Sequence, residues 1–265
     1  MRVGHFRELM LLVAALGLTA CTATAPPPEG PRDPDAEHAS LKDAWLSAPA
    51  NTLYEGAPLK DGKETRSRAF LRRQAQNLAF RFPNHVPTRT LAGIMAYEAR
   101  DPVAATRHLD HVLSLRPGHP EAAMLRAQIA LEGGNAPYAV RLLQDQVRMR
   151  PDHAGLRELL ASSLFMGGDI AGAQRELSIA GELGARPERI AYNRGLMAEQ
   201  DGDHAAAEGF YRQALEHAPE WNRPQERLAG LAHSPKAPAA DVAVRSVSGF
   251  VPPPPPPLPA AYLRK

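Results

Sequence analysis

The residues of this 265-residue chain with chemistry to offer are ten histidines, one cysteine and an adjacent serine pair. Three histidines, His85, His119 and His153, stand 34 residues apart, each two residues after a proline. A ladder of imidazoles suggests a metal array. Nitrogen ligands of one ion lie only about 2 Å from it, whereas equivalent points on stacked helices are about 8–10 Å apart. The ladder therefore cannot close on a single ion, and it reads as a turn residue before each of three helices. His108 and His111 share a helix face, but Arg107 beside them marks that face as solvated. Ser162-Ser163 falls inside a helical pattern with no obvious base, and Gly133-Gly134 and Gly167-Gly168 sit at turns rather than around a phosphate. No GxSxG, HExxH, phosphate-loop or dinucleotide fingerprint occurs. The sequence thus points to no catalytic residue, no metal site and no cofactor, and a reading as an enzyme has no motif behind it.

Bulk composition agrees with a binding protein rather than a polyion. Lys and Arg number 31, Asp and Glu 29, and the formal charge of +2 gives no general attraction to nucleic acid or anionic lipid. The middle of the chain is rich in Ala, Leu, Arg and Glu, which favours helices packed through small side chains. The prolines cluster at the two ends, so ends and middle are different materials.

Residues 1–20 have the three-part form of an export signal. Arg2 and Arg7 start it, Leu9 to Leu18 is apolar, and that run is too short for a membrane span, which needs about 20 residues. The end of the run, Leu18-Thr19-Ala20-Cys21, resembles the bacterial lipobox. That resemblance implies a diacylglyceryl group on Cys21, cleavage before it and acylation of the new N-terminus. Several acyl chains anchor a protein stably where one does not. Thr22, in place of a retention aspartate, points to the outer membrane, with the chain facing the periplasm. Residues 21–35, including APPPEGPRDP, read as an extended, solvated linker that holds the rest off the lipid.

Compared with itself at an offset of 34, the chain keeps an ungapped register. Counting Val86 as position 1, position 8 is Gly93, Ala127, Ala161 and Gly195, and position 20 is Ala105, Ala139, Ala173 and Ala207. Position 24 is Leu109, Leu143, Leu177 and Tyr211. Position 16 is Asp101, Asn135, Asp169 and Asp203, and position 32 is proline except at Ala185. These columns resemble the tetratricopeptide repeat, a helix-turn-helix unit. The resemblance implies an all-α, right-handed superhelical solenoid of antiparallel helix pairs with four repeats, 86–119, 120–153, 154–187 and 188–220. Helix A is expected near 87–99, 121–133, 155–167 and 189–201, and helix B near 102–115, 136–149, 170–183 and 204–217. Position 4 lacks the usual tryptophan, and Arg126 and Arg194 at position 7 predict a looser interior in the second and fourth copies.

Arrays of this kind need end caps, because each repeat buries its face only against neighbours. Residues 36–85 read as capping helices, one over Asp35–Ser47 and one over Glu64–Phe82, with a loop through Gly56 and Gly62 between. Arg223 to Ala232, within a segment 221–233, reads as a closing helix. Residues 234–265 lose apolar periodicity and carry the proline run 252–257, which predicts a disordered or polyproline II tail.

In the repeat family, helix A lines a concave groove. Carried over position by position, the resemblance assigns to it Ile94, Tyr97 and Glu98; Met124, Gln128, Leu131 and Glu132; Glu158, Ser162, Phe165 and Met166; and Tyr192, Leu196, Glu199 and Gln200. The set lacks the Lys and Asn arrangement with which chaperone-binding members hold a C-terminal carboxylate. Its aromatic side chains suit an amphipathic helix or extended segment, and its carboxylates favour positive charge there. The expected role is a lipid-anchored adaptor that binds another envelope protein. In plan it is similar to the pilotin-like and Tad (Flp) pilus-assembly lipoproteins, which serve secretins. A scaffold for peptidoglycan or cell-division machinery is the alternative with the same chemistry.

Overall fold

The structure, a computed structural model, describes residues 33–48 and 67–233. The expected signal segment with Cys21, nearly all of the linker, the loop through Gly56 and Gly62 and the proline-rich tail lie outside the described residues.

Among the described residues the chain forms eleven α-helices and no strand. Helices α1 (Pro34–Ser47) and α2 (Arg68–Arg81) precede four pairs: α3 (Val86–Glu98) with α4 (Pro102–Leu115), α5 (Pro120–Glu132) with α6 (Ala136–Met149), α7 (Ala154–Met166) with α8 (Ile170–Glu182), and α9 (Pro187–Gln200) with α10 (His204–His217). Helix α11 (Asn222–His233) follows. The A helices begin one or two residues earlier than the sequence reading puts them. Pro87, Pro120 and Pro187 open three of them, where proline lacks only an N–H that has no helical partner anyway. Likewise α1 starts at Pro34, so the last residues assigned to the linker belong to its first turn, with Asp35 and Glu37 near the positive end of the helix dipole.

Each pair closes by the same local chemistry. Asp101, Asn135, Asp169 and Asp203 cap the B helices, accepting from the backbone N–H three residues on at 2.9, 3.2, 2.8 and 2.9 Å. The preceding residue is left-handed: Gly134, Gly168 and Gly202 have φ of 75, 86 and 77°. In the first pair Arg100 takes that place at φ 60°, a conformation that costs a non-glycine residue roughly 1 kcal/mol. The proline missing at Ala185 has a counterpart in the backbone. Helix α8 ends a residue early, Gly184 turns left-handed at φ 83°, and Ala185 N–H reaches back to Ala180 C=O at 2.9 Å. A glycine closure thus replaces a proline stop at this junction.

The small-residue columns sit at the centre of the packing. Ala105, Ala139, Ala173 and Ala207 are fully buried, as are Leu109, Leu143 and Tyr211. Position 8 faces position 24 directly: a Cβ on Gly93 would lie 3.0 Å from Leu109, and one on Gly195 only 2.5 Å from the Tyr211 ring. Successive A helices touch along the row α1, α3, α5, α7, α9, while the B helices share no comparable contact. The A helices therefore form the inner row.

Candidate functional site: the inner helix row

The A helices bury most of their circumference, because each lies between its own B helix, the previous B helix and the next A helix. Consequently Ile94, Met124, Gln128, Leu131, Glu158, Phe165, Tyr192 and Leu196 are all buried. Half-buried are Tyr97, Glu98, Ser162, Met166 and Glu199, while Glu132 and Gln200 are exposed. The buried members pack the row together: the Met124 methyl, for example, lies 3.2 Å from where a Cβ on Gly155 would stand.

Three of the four carboxylates are tied to arginines about one repeat away. Arg68 donates to Glu98 at 2.7 Å and lies with its guanidinium 4.7 Å from the Trp45 ring centre. Arg189 pairs with Glu158. Glu199 accepts from the Tyr211 hydroxyl at 2.6 Å and from Arg227 at 3.3 Å. Burial raises the pKa of Glu98 and of Glu158, and the arginine beside each opposes that rise. These three carboxylates are therefore already compensated within the chain.

Glu132 is different. It accepts from the Tyr97 hydroxyl and, at 3.2 Å, from the Gln128 amide, and it makes no ion pair among the described residues. Gln128 also donates to the Tyr97 oxygen, so three side chains from two successive repeats form a closed triad. The buried Gln128 carbonyl oxygen has no hydrogen-bond partner among the described residues. Burial, then the Glu132 carboxylate, pushes the Tyr97 phenol well above its ordinary range, so it stays protonated and keeps donating. The triad presents one uncompensated negative charge at the surface of the row, held by rigid neighbours.

At the last repeat, Tyr192 packs against Trp221 with the rings tilted and their centres 4.8 Å apart, and lies 5.7 Å from the Tyr211 ring. Trp221, just ahead of α11, and Arg227 on α11 thus cover the aromatic residue the sequence assigns to the groove. The sequence reading missed this, although α11 begins 34 residues after position 1 of the fourth repeat and so lies in register with an A helix.

The three histidines of the 34-residue ladder act locally, at helix starts. His119 and His153 cap α5 and α7, their Nδ1 accepting from Ala122 and Leu156 N–H at 3.3 and 3.2 Å. His85 precedes α3 and meets Thr88 and Asp35 instead. His111 meets the Pro83 carbonyl at 3.0 Å. Burial, with Arg89 and Arg107 adding to it, lowers His108 to about 4, so it is neutral at physiological pH.

A tetratricopeptide-repeat family profile matches residues 90–154 and 158–220. The solenoid is built of tetratricopeptide repeats. The two matched segments start 68 residues apart (158 − 90), two repeat lengths. Comparison with curated proteins gave no match. Solved structures share the fold. MamA from Desulfovibrio magneticus RS-1 is 18% identical, with a TM-score of 0.54 over 72% of this chain and 98% of that one. A thermophilic tetratricopeptide-repeat protein of Thermus thermophilus is 18% identical, with a TM-score of 0.54 over 62% of this chain and 90% of that one. A repeat protein from Parabacteroides merdae is 16% identical, with a TM-score of 0.53 over 62% of this chain and 64% of that one. Tetratricopeptide repeats in general serve as protein-interaction scaffolds, and the matched segments suggest that class here.

Proposed function

We propose that the chain is a lipid-anchored adaptor of the bacterial envelope, held to the outer membrane through Cys21 and binding a protein partner along its inner helix row. The partner is a component of a secretin, pilus or other outer-membrane complex during its assembly, and the chain does no catalysis. The observation that carries the binding mode is the Tyr97–Gln128–Glu132 triad. It offers an aromatic edge and one uncompensated carboxylate, which suits a helix or extended segment bearing Lys or Arg. Glu98, Glu158 and Glu199, being paired already, contribute shape more than charge.

The test is a photocrosslinking amino acid at Tyr97 in living cells, followed by identification of the captured protein. An envelope assembly component is expected, with capture lowered by Glu132→Gln. Capture of a peptidoglycan synthase or division protein would replace the assembly reading with the cell-wall one, and capture that ignores Glu132 would remove the triad from the site.

A further inference from the structure

Helix α1 heads the inner row, packed on α2 and α3, and its two ends are held by different chemistry. The C-terminal end is held by burial: Leu41 and Trp45 are buried, with Ala48 just beyond the helix. Arg68 of α2 lies against the Trp45 ring and donates from Nε to the Ala48 carbonyl at 3.2 Å. The N-terminal end is held by polar groups. Arg81 of α2 donates to Glu37 at 3.1 Å. His85, at the turn between α2 and α3, meets Asp35 through Nε2 at 3.0 Å and Thr88 through Nδ1 at 2.7 Å.

His38 sits within this polar end. Its ring meets the His85 ring edge-on, with centres 5.9 Å apart and planes at 72°. The side chain is half-buried, and its Nδ1 is buried with no hydrogen-bond partner among the described residues. A neutral imidazole tolerates that setting. A proton on Nδ1 creates a buried, charged donor without an acceptor. The positive ring then faces Lys42 one turn along α1 and His85 across the joint. Asp35 is the carboxylate that favours the charge, and His85 already engages it. The other charges on the packed helices near this end are committed elsewhere: Arg81 to Glu37, and Arg89 of α3 to the Pro83 carbonyl at 2.6 Å. Burial, then His85 and Lys42, hold the His38 pKa below its ordinary value, with Asp35 opposing.

We propose that α1 is an acid-released latch at the head of the inner row, docked while His38 is neutral and undocked when His38 takes up a proton. The sign follows from linkage. The docked state binds this proton less readily than the free helix does, so docking is complete above the ordinary histidine value of 6.5 and weakens as the pH falls below it. Undocking uncovers the flank of α3 on which α1 packs and the Arg68 guanidinium beneath Trp45. Acid thereby opens the first end of the inner row while the repeats beyond it stay paired. The latch depends neither on the partner that the inner row binds nor on the anchor at Cys21.

Hydrogen exchange on the full chain tests this, with each rate corrected for the intrinsic rate at its pH. His119 and His153 cap α5 and α7, so α8, which contains no histidine, is the reference. Between about pH 7.5 and pH 5, protection over residues 34–47 is expected to fall by about fivefold or more, and that of α8 to stay constant. His38→Gln, which keeps a polar side chain without the titration, should leave α1 equally protected at both values. Lys42→Gln removes one cation facing the ring, and should make the acid-induced fall smaller. Equal protection of α1 at both values in the parent overturns the proposal, as does an undiminished fall in His38→Gln. Should His38→Gln leave α1 undocked at neutral pH, the Lys42→Gln comparison decides alone, and an undiminished fall there overturns it.

Discussion

At the scale of single residues, Gly195 is the tighter of the two glycines at position 8. A methyl there would stand 2.5 Å from the Tyr211 ring, whereas at Gly93 the corresponding approach to Leu109 is 3.0 Å and to the tip of a flexible side chain. The second and third repeats carry Ala127 with Leu143 and Ala161 with Leu177, so alanine at position 8 goes with leucine at position 24. Gly195→Ala alone is expected to lower stability by about 1–3 kcal/mol through overpacking. Gly195→Ala with Tyr211→Leu should recover much of that loss, and Gly93→Ala should cost less than Gly195→Ala. Denaturant melts of these variants together with Tyr211→Leu alone complete a double-mutant cycle, and additive losses would show that the two side chains do not meet. The pairing of glycine with tyrosine was visible in the aligned columns. Its physical meaning was not, because a column shows size at one position and not which neighbour fills the space. The charge of the inner row was hidden for a related reason. The partners of Glu98, Glu158 and Glu199 lie 30, 31 and 28 residues away, in adjacent helices rather than on the same one. An arginine a little short of one repeat from each glutamate was the signal available.

At the scale of helices, the period fixed the pairs to within a residue or two, since capping Asp or Asn and left-handed glycine recur in every turn but the first. What the period could not reveal is how deeply the A helices are buried, because that follows from stacking between repeats and not from the amphipathicity of one helix. It also could not show that α11 takes the place of a further A helix. That helix and the Trp221 ahead of it close the array, Trp221 on Tyr192 and Arg227 on Glu199. In a solenoid, stability is close to a sum of repeat and nearest-neighbour contributions. Trp221→Ala, which removes one partner of a tilted aromatic pair, should therefore loosen the fourth repeat alone. Amide exchange is expected to accelerate in α9, α10 and α11 and to stay unchanged in α3 to α6. Uniform acceleration along the chain would mean that the array melts as one cooperative body and that α11 is not a local cap.

At the scale of the whole molecule, the question is how a scaffold with no membrane-crossing helix among its described residues reaches a membrane. The proposed answer places all of the attachment in Cys21 and none in the helices. The formal charge of the whole chain is nearly balanced, so electrostatic adhesion to anionic lipid offers no substitute. A single acyl chain binds a bilayer only marginally and two or more hold it stably, so removing the acceptor thiol should release the protein almost completely rather than by degrees. Cys21→Ser is expected to abolish palmitate incorporation and to shift the chain from the membrane pellet to the soluble fraction. The repeats hold their own core of alanine and leucine columns. The melting temperature of the helical region should accordingly not change. Membrane retention of the serine variant through a carbonate wash would transfer the anchor to some other part of the chain. Loss of retention together with a lowered melting temperature would show that the N-terminal segment supports the fold as well as the address. Only a clean separation, membrane lost and fold kept, fits an adaptor whose binding wall and whose tether are independent parts.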